Sequence, residues 1–250
     1  MSFRFWLKNM LIMLGLLGLW QGTIILFHLP HYIVATPEQV GQRLIHDAPL
    51  LWQHTQITLI EILLGFVVGF LLGLFSAISL IMSKILASIL LPLMVLSQAI
   101  PIFAIAPLLV LWFGYGLTSK IIMAALMLYF PVTAACYDGL RHTPQSWLDI
   151  ASSMHATPWT ILWKIRLPAA LPALSSGVRI AISFAPIGAI IGEWVGASEG
   201  LGYLMLQANA RMQIDLVFAA LIILMSLSLC FYFCTDFLLK KLVPWQNQLS

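Results

Sequence analysis

Charge is what this sequence has least of. Only 8% of its 250 residues are Asp, Glu, Lys or Arg, while 61% are hydrophobic. A soluble domain carries about 25% charged residues. This chain cannot cover itself with a polar surface, so lipid must be its solvent. No hydrophilic stretch is long enough to fold alone, and residues 1–250 read as one membrane domain. The net charge is only +3 and no Lys/Arg-rich run occurs, which excludes nucleic acid as a partner. No G-x-x-x-x-G-K-[ST] motif occurs either, so the chain does not bind ATP through a phosphate loop. The three cysteines, Cys136, Cys230 and Cys234, sit in apolar segments and read as small hydrophobes. Cys230 and Cys234 are one helical turn apart, but two ligands do not make a metal site. His28, His31, His46 and His54 match no metal-ligand spacing and read as interfacial polar residues. Arg4 and Lys8 precede an apolar run to Phe27 that lacks a small-x-small cleavage site, which predicts a retained membrane helix.

Against these absences stand the long apolar runs. A helix needs about 20 apolar residues to cross the hydrocarbon. That rule predicts an all-α, polytopic protein with six spans, near residues 9–28, 57–82, 86–113, 118–137, 173–194 and 216–239. The third carries Pro92, Pro101 and Pro107 and is predicted to be kinked or broken. An even number of spans puts both termini on one side. That side holds Arg4, Lys8, Lys84, Arg141, Lys164, Arg166, Lys240 and Lys241; the other holds Arg43, Lys120 and Arg211. The imbalance places the termini in the cytoplasm. In the first outer loop, "VATPEQVGQRLI" has Thr36 to cap a helix, Pro37 for its first turn and Gln39 to complete a capping box. Within the second span Gly65, Gly69 and Gly73 share one helix face and invite close approach of another helix.

One stretch breaks the apolar pattern: "HTPQSWLDIASSMHATPWTILWKIRLPAALP", residues 142–172. Two short helices can be read in it, each with a capping Thr before a first-turn Pro: Thr143–Pro144 and Thr157–Pro158. Trp147, Ile150, Ala151 and Met154 follow i, i+3, i+4, i+7 and form an apolar stripe. Pro168 is expected to stop the second helix. By pattern alone this is either a hairpin lying on headgroups or a docking element for another protein.

A family resemblance narrows that choice. "LDIASSMHATPWTILWKIRLPAALPAL" resembles the cytoplasmic EAA loop of binding-protein-dependent ABC transporter permeases. Asp149 takes the acidic place, Ala151 the alanine, Ala156 the alanine after the glycine, and Leu167, Pro168, Ala170, Leu171 and Pro172 the exit. His155 stands where the family has a glycine suited to a left-handed turn. "QAIPIFAIAPLLVLWFGYGLTSKI" and "GEWVGASEGLGYLMLQANARMQIDLVFAALI" resemble the branch that moves nitrate, sulfonates, taurine and thiamine-precursor pyrimidines. "TLIEILLG" with Glu61 is most similar to the pyrimidine-type permeases. The resemblance implies a type I importer fold in the inner membrane. It implies a second permease subunit, expected to be the same chain, two cytoplasmic ATPase subunits that receive the EAA loops and use ATP and magnesium, and an external solute-binding protein. No cofactor is expected on this chain. Coupling would fall to Trp147, Asp149, Ile150, Ala151, Met154, His155, Ala156, Pro168 and Pro172.

Intramembrane polar groups face protein or water, and Glu61, Gln98, Ser175, Ser176, Arg179, Ser183 and Glu193 are the candidates. Gln98, Pro101, Ser183 and Glu193 are taken as candidate path residues. Glu193 can also be read as an interfacial carboxylate meeting the binding protein or Arg211. Glu61 reads as water-facing or ion-paired at the surface, near the start of its span. Gly196, Gly200 and Gly202 form a loop that could re-enter or gate. The three serines can instead bond their own helix backbone. An ion-coupled transporter would show inverted repeats and mid-membrane carboxylates, and no repeat is seen. An intramembrane hydrolase needs a base beside a nucleophile, and all six histidines fall in predicted loops.

Overall fold

Three glycines one turn apart centre the bundle. They lie on α3 (Ala48–Met82) and face α6 (Leu117–Arg141) of the same chain. A Cβ on Gly69 would stand 2.8 Å from the Ala125 carbonyl oxygen, and one on Gly73 2.9 Å from Val132 Cγ1. Gly65 meets Ala124 in the same way. A third helix, α9 (Leu167–Gly196), packs on the other flank of α6. Gly188 brings its backbone so near that a Cβ would lie 2.7 Å from Ala124 Cα, and Gly139 of α6 approaches Ala170 as closely. Lipid tails are as apolar as leucine, so helices in a bilayer gain from dispersion between close backbones, and small residues permit it. The pairings Gly65–Ala124 and Gly73–Val132 run α3 parallel to α6, while Gly177–Ala135 and Gly188–Ala124 run α9 antiparallel to it.

The computed structural model describes residues 3–245, and every regular element among them is helical. Around the central three stand α1 (Phe3–Leu26), α2 (Pro37–His46), α4 (Lys84–Ala99), α5 (Ile102–Phe113), α7 (Gln145–Ser153), α8 (Pro158–Ile161), α10 (Leu201–Ala210) and α11 (Ile214–Leu242). Among the described residues, four continuous helices are long and apolar enough to span: Ala48–Met82, Leu117–Arg141, Pro158–Gly196 and Ile214–Leu242. The α4–α5 pair, bent by 102° at its break, is a fifth when counted as one span. The predicted first span corresponds to a shorter apolar stretch, Met10–Leu26, so length and composition alone do not reach six.

Several local expectations are met and others corrected. The α2 capping box forms, with Thr36 and Gln39 satisfying each other's backbone N–H groups. The third predicted span breaks at Ile100–Pro101, where Pro101 cannot donate to the α4 ladder and instead starts α5. α3 starts at Ala48, well before residue 57, so Glu61 lies deep in the helix rather than near its start. Thr143 does not cap α7: its hydroxyl donates to the Leu140 carbonyl at 3.1 Å, and Pro144 occupies the N-cap position. Thr157 caps α8 through the Thr160 N–H, with Pro158 in the first turn.

Pro168 does not end the second helix. Between α8 and α9 the chain makes a π turn, Leu162–Arg166, and the Leu167 N–H reaches back to the Leu162 carbonyl. The wider turn makes room for the pyrrolidine ring and absorbs the bond that Pro168 cannot donate. The helix therefore runs unbroken from Pro158 to Gly196.

Candidate translocation cavity, coupling surface and polar latch

Three sites arise from this arrangement. The first is a cavity of about 670 Å³ between the α4–α5 break and the faces of α6 and α9. Its polar groups are Ser97 and Gln98 at the end of α4, Asp138 on α6 and Ser176 on α9. Phe130 and Phe184 supply aromatic walls. The Ser97 hydroxyl donates to the Met94 carbonyl at 2.7 Å. The break leaves the last carbonyls of α4 and the first N–H groups of α5 without helical partners. Ile180 and Phe184 are about half exposed, so the cavity opens on the side away from α3.

Gln98 and Pro101 line this one cavity. Ser183 and Glu193 do not join them. Ser183 donates to the Arg179 carbonyl and lines a separate apolar groove with Phe103 and Trp194. Asp138 falls just beyond the predicted fourth span and is not among the candidates. A lone carboxylate in the last turns of an apolar helix was the available signal.

Glu193 belongs to the second site, a buried polar cluster at the far end of the bundle. Its carboxylate accepts from the Thr58 hydroxyl at 2.6 Å and from the Gly202 N–H. Thr58 also accepts from the Leu201 N–H at 2.8 Å, and His54 Nδ1 accepts from the Gly200 N–H at 2.9 Å. That bond leaves the His54 proton on Nε2. Gly200 holds φ at 112°, and a Cβ there would collide with the Glu193 carboxylate, so both conformation and space demand glycine. Glu61 is completely buried, with Lys120 Nζ 2.9 Å from its Oε1. The two form a buried ion pair, with the Glu193 carboxylate beside Glu61.

These positions correct two expectations. Glu61 is ion-paired, but in the core rather than at a surface, because α3 starts early enough to carry it inside. Glu193 is neither interfacial nor paired with Arg211; it bonds α3 and the α9–α10 loop. Lys120, counted above as a loop charge, is a buried member of α6. The sequence did carry a signal: His54, Thr58 and Glu61 fall at i, i+4, i+7 on one face of the helix. The segment with Gly196, Gly200 and Gly202 is fastened to α3 by two backbone N–H groups, those of Gly200 and Leu201, and to α9 by a third, that of Gly202 on Glu193.

The third site is the α7 surface at the opposite end. Trp147, Ile150 and Met154 are exposed, at 51%, 61% and 77%, whereas Ala151 is buried against its own chain. The stripe is thus three exposed residues with a small inward anchor. Asp149 accepts from the Gln145 amide at 2.9 Å. His155 takes the left-handed conformation, φ 54°, with its N–H on the Ser152 carbonyl and the Ala156 N–H on the Ala151 carbonyl. This is a Schellman end to α7, the turn that a glycine serves without strain. Pro168 and Trp147 border an apolar groove of about 490 Å³ that Trp245 also lines. Pro172 lies within α9.

The family profile described as "Binding-protein-dependent transport system inner membrane component" matches residues 69–245, which takes in the cavity, the α7 surface and the α9–α10 loop. The chain belongs to this family. It is a permease subunit of an ABC importer, a multi-pass membrane protein whose ATP hydrolysis is done by a separate ATPase. Family membership implies that ATPase and a substrate-binding protein as partners.

The permease is 62% identical to a "Probable ABC transporter permease protein" of Haemophilus influenzae, over 95% of this chain and 97% of the relative. It is 40% identical to the "Riboflavin transport system permease protein RibX" of Chloroflexus aurantiacus, over 92% and 87%. It is 33% identical to the "Formylaminopyrimidine transport permease protein ThiX" of Halalkalibacterium halodurans, over 97% of each. Relatives named for aliphatic sulfonates reach 32%, and one named for taurine 28%. Among solved structures, an inward-facing MetNI methionine ABC transporter matches with a TM-score of 0.60 at 20% identity, covering 80% of this chain and 97% of that one. At that identity the match speaks for the fold alone.

Proposed function

We propose that this permease imports an aromatic nitrogen heterocycle, with a hydroxymethylpyrimidine-type thiamine precursor as the leading cargo. The observation that carries it is similarity over nearly the whole chain to two permeases named for such rings, a riboflavin and a formylaminopyrimidine permease. The 40% identity to the riboflavin permease favours a flavin as the second reading. The α7 end faces the cytoplasm, in keeping with the excess of Lys and Arg there. The exposed Trp147, Ile150 and Met154 dock into the ATPase, and Ala151 fixes the helix beneath them. Two copies of the chain form the membrane core, and an external solute-binding protein delivers the cargo to the latch end. The chain holds no cofactor of its own; ATP and magnesium sit on the ATPase.

The test is uptake of labelled hydroxymethylpyrimidine, riboflavin and taurine in cells with and without the intact gene. Loss of pyrimidine uptake with taurine uptake unchanged is expected. Loss of taurine, sulfonate or nitrate use with both heterocycles still taken up overturns the proposal.

A further inference from the structure

We infer that the cavity at the α4–α5 break is a cargo-binding station within the permease itself, built for a neutral or weakly basic ring that both donates and accepts hydrogen bonds, such as an aminopyrimidine, and unsuited to an anion. The inference rests on the cargo class proposed above and adds where in the membrane that class is recognised.

The chemistry of the lining carries it. Among the described residues of this chain, the cavity lining holds one formally charged side chain, Asp138, and no Lys or Arg. The α9 cation nearest in sequence, Arg179, is turned away and bonded to Asp236 on α11 at 2.7 Å. A sulfonate or nitrate entering here would lose its hydration and meet a like charge with nothing to pair it. An amino group on a ring instead finds an acceptor in Asp138. Ring nitrogens, which only accept, find donors in the Gln98 amide and the first N–H groups of α5. A ring hydroxyl finds Ser97 and Ser176. Phe130 and Phe184 give the ring faces an apolar wall.

The backbone supports the same conclusion. Irregular backbone at membrane depth is tolerated where it lines a cavity, and broken helices place their free ends at transported solutes. The 102° break puts both an acceptor end and a donor end at this one cavity. A volume of about 670 Å³ lies within the usual range of about 300–1,000 Å³ for small-molecule sites.

The experiment uses the permease–ATPase complex in nanodiscs without its binding protein, so that any binding belongs to the membrane part. Equilibrium binding of 4-amino-5-hydroxymethyl-2-methylpyrimidine is compared with that of taurine, for wild type, Asp138→Asn and Gln98→Leu. Asp138→Asn is isosteric and keeps an acceptor, so it reports the charge; Gln98→Leu removes the amide. Co-elution of the ATPase checks assembly of each variant. The wild-type complex is expected to bind the pyrimidine and not taurine, and each variant to weaken pyrimidine binding by about tenfold or more. Equal binding of taurine, no pyrimidine binding, or unchanged binding in both assembled variants overturns the inference. If pyrimidine uptake in cells persists while these results fail, the cargo proposal stands and the station falls. If cells show no uptake of either ring, the cargo proposal itself has failed.

Discussion

Replacing Lys120 by methionine keeps the length of the side chain and removes the ammonium that faces Glu61 in the core. In the native protein that ammonium stands 2.9 Å from Glu61 Oε1, and Glu61 is fully buried. Glu193, also buried, shares the same pocket of the fold. Removing one partner of a buried ion pair costs about 3–5 kcal/mol, because the remaining charge is uncompensated. For a chain of this size each kcal/mol moves the melting midpoint by about 2–4 °C, so a fall of roughly 10 °C is expected. The assay is thermal melting of the assembled complex in nanodiscs. The double variant Lys120→Met with Glu61→Gln removes the pair together and leaves Glu193 without the ammonium, so it should recover part of the loss. Glu193 keeps its bonds to Thr58 and Gly202 in either case. A single variant that melts with the wild type, or a double variant no more stable than the single, would refute the idea that charge compensation holds this end of the bundle.

Other outcomes follow from the same geometry. Gly69→Ala should lower stability by about 1–3 kcal/mol through overpacking on α6, while Gly15→Ala, with nothing near its would-be Cβ, should be neutral in the same melting assay. His155→Gly should raise the melting point, relieving a left-handed residue at a cost of about 1 kcal/mol, and His155→Val should lower it. Ile150→Asp with Met154→Asp, both at exposed positions, should release the ATPase on size-exclusion chromatography without changing the melting of the permease; retained ATPase would remove α7 from the docking surface. The hydrogen bond from His46 and the pairing with Arg43 hold the Asp47 carboxyl below the usual carboxylate range, against burial, which raises it. The folded state therefore binds this proton less readily than the unfolded chain. Its contribution is complete above the ordinary carboxylate pKa and is lost as pH falls through the depressed folded value. Asp47→Asn should cost up to about 1 kcal/mol at neutral pH and converge with wild type on acidification, read as melting point against pH.

The sequence by itself determined the solvent, the all-helical class, a proline kink or break in the third span, the glycine face of α3 and the exceptional stretch at 142–172. These are legible because they are local: hydropathy over a helix length, a missing N–H at proline, a period of four between glycines. It also marked His155 as the residue standing in for a turn glycine. The tertiary structure decided what periodicity cannot encode. It showed that the glycine face meets α6 of the same chain, and that Ala151 points inward while its neighbours face out. It also showed that Pro168 rides on a π turn instead of ending a helix. Above all it sorted the intramembrane polar residues. Gln98 and Glu193 look alike in the sequence as isolated polar groups near prolines and glycines. One lines an open cavity, and the other is locked to Thr58, from a distant part of the chain, and to the nearby Gly202. A buried polar group must find its partner across the fold, and that partner is fixed by how helices pack, not by the residues on either side of it.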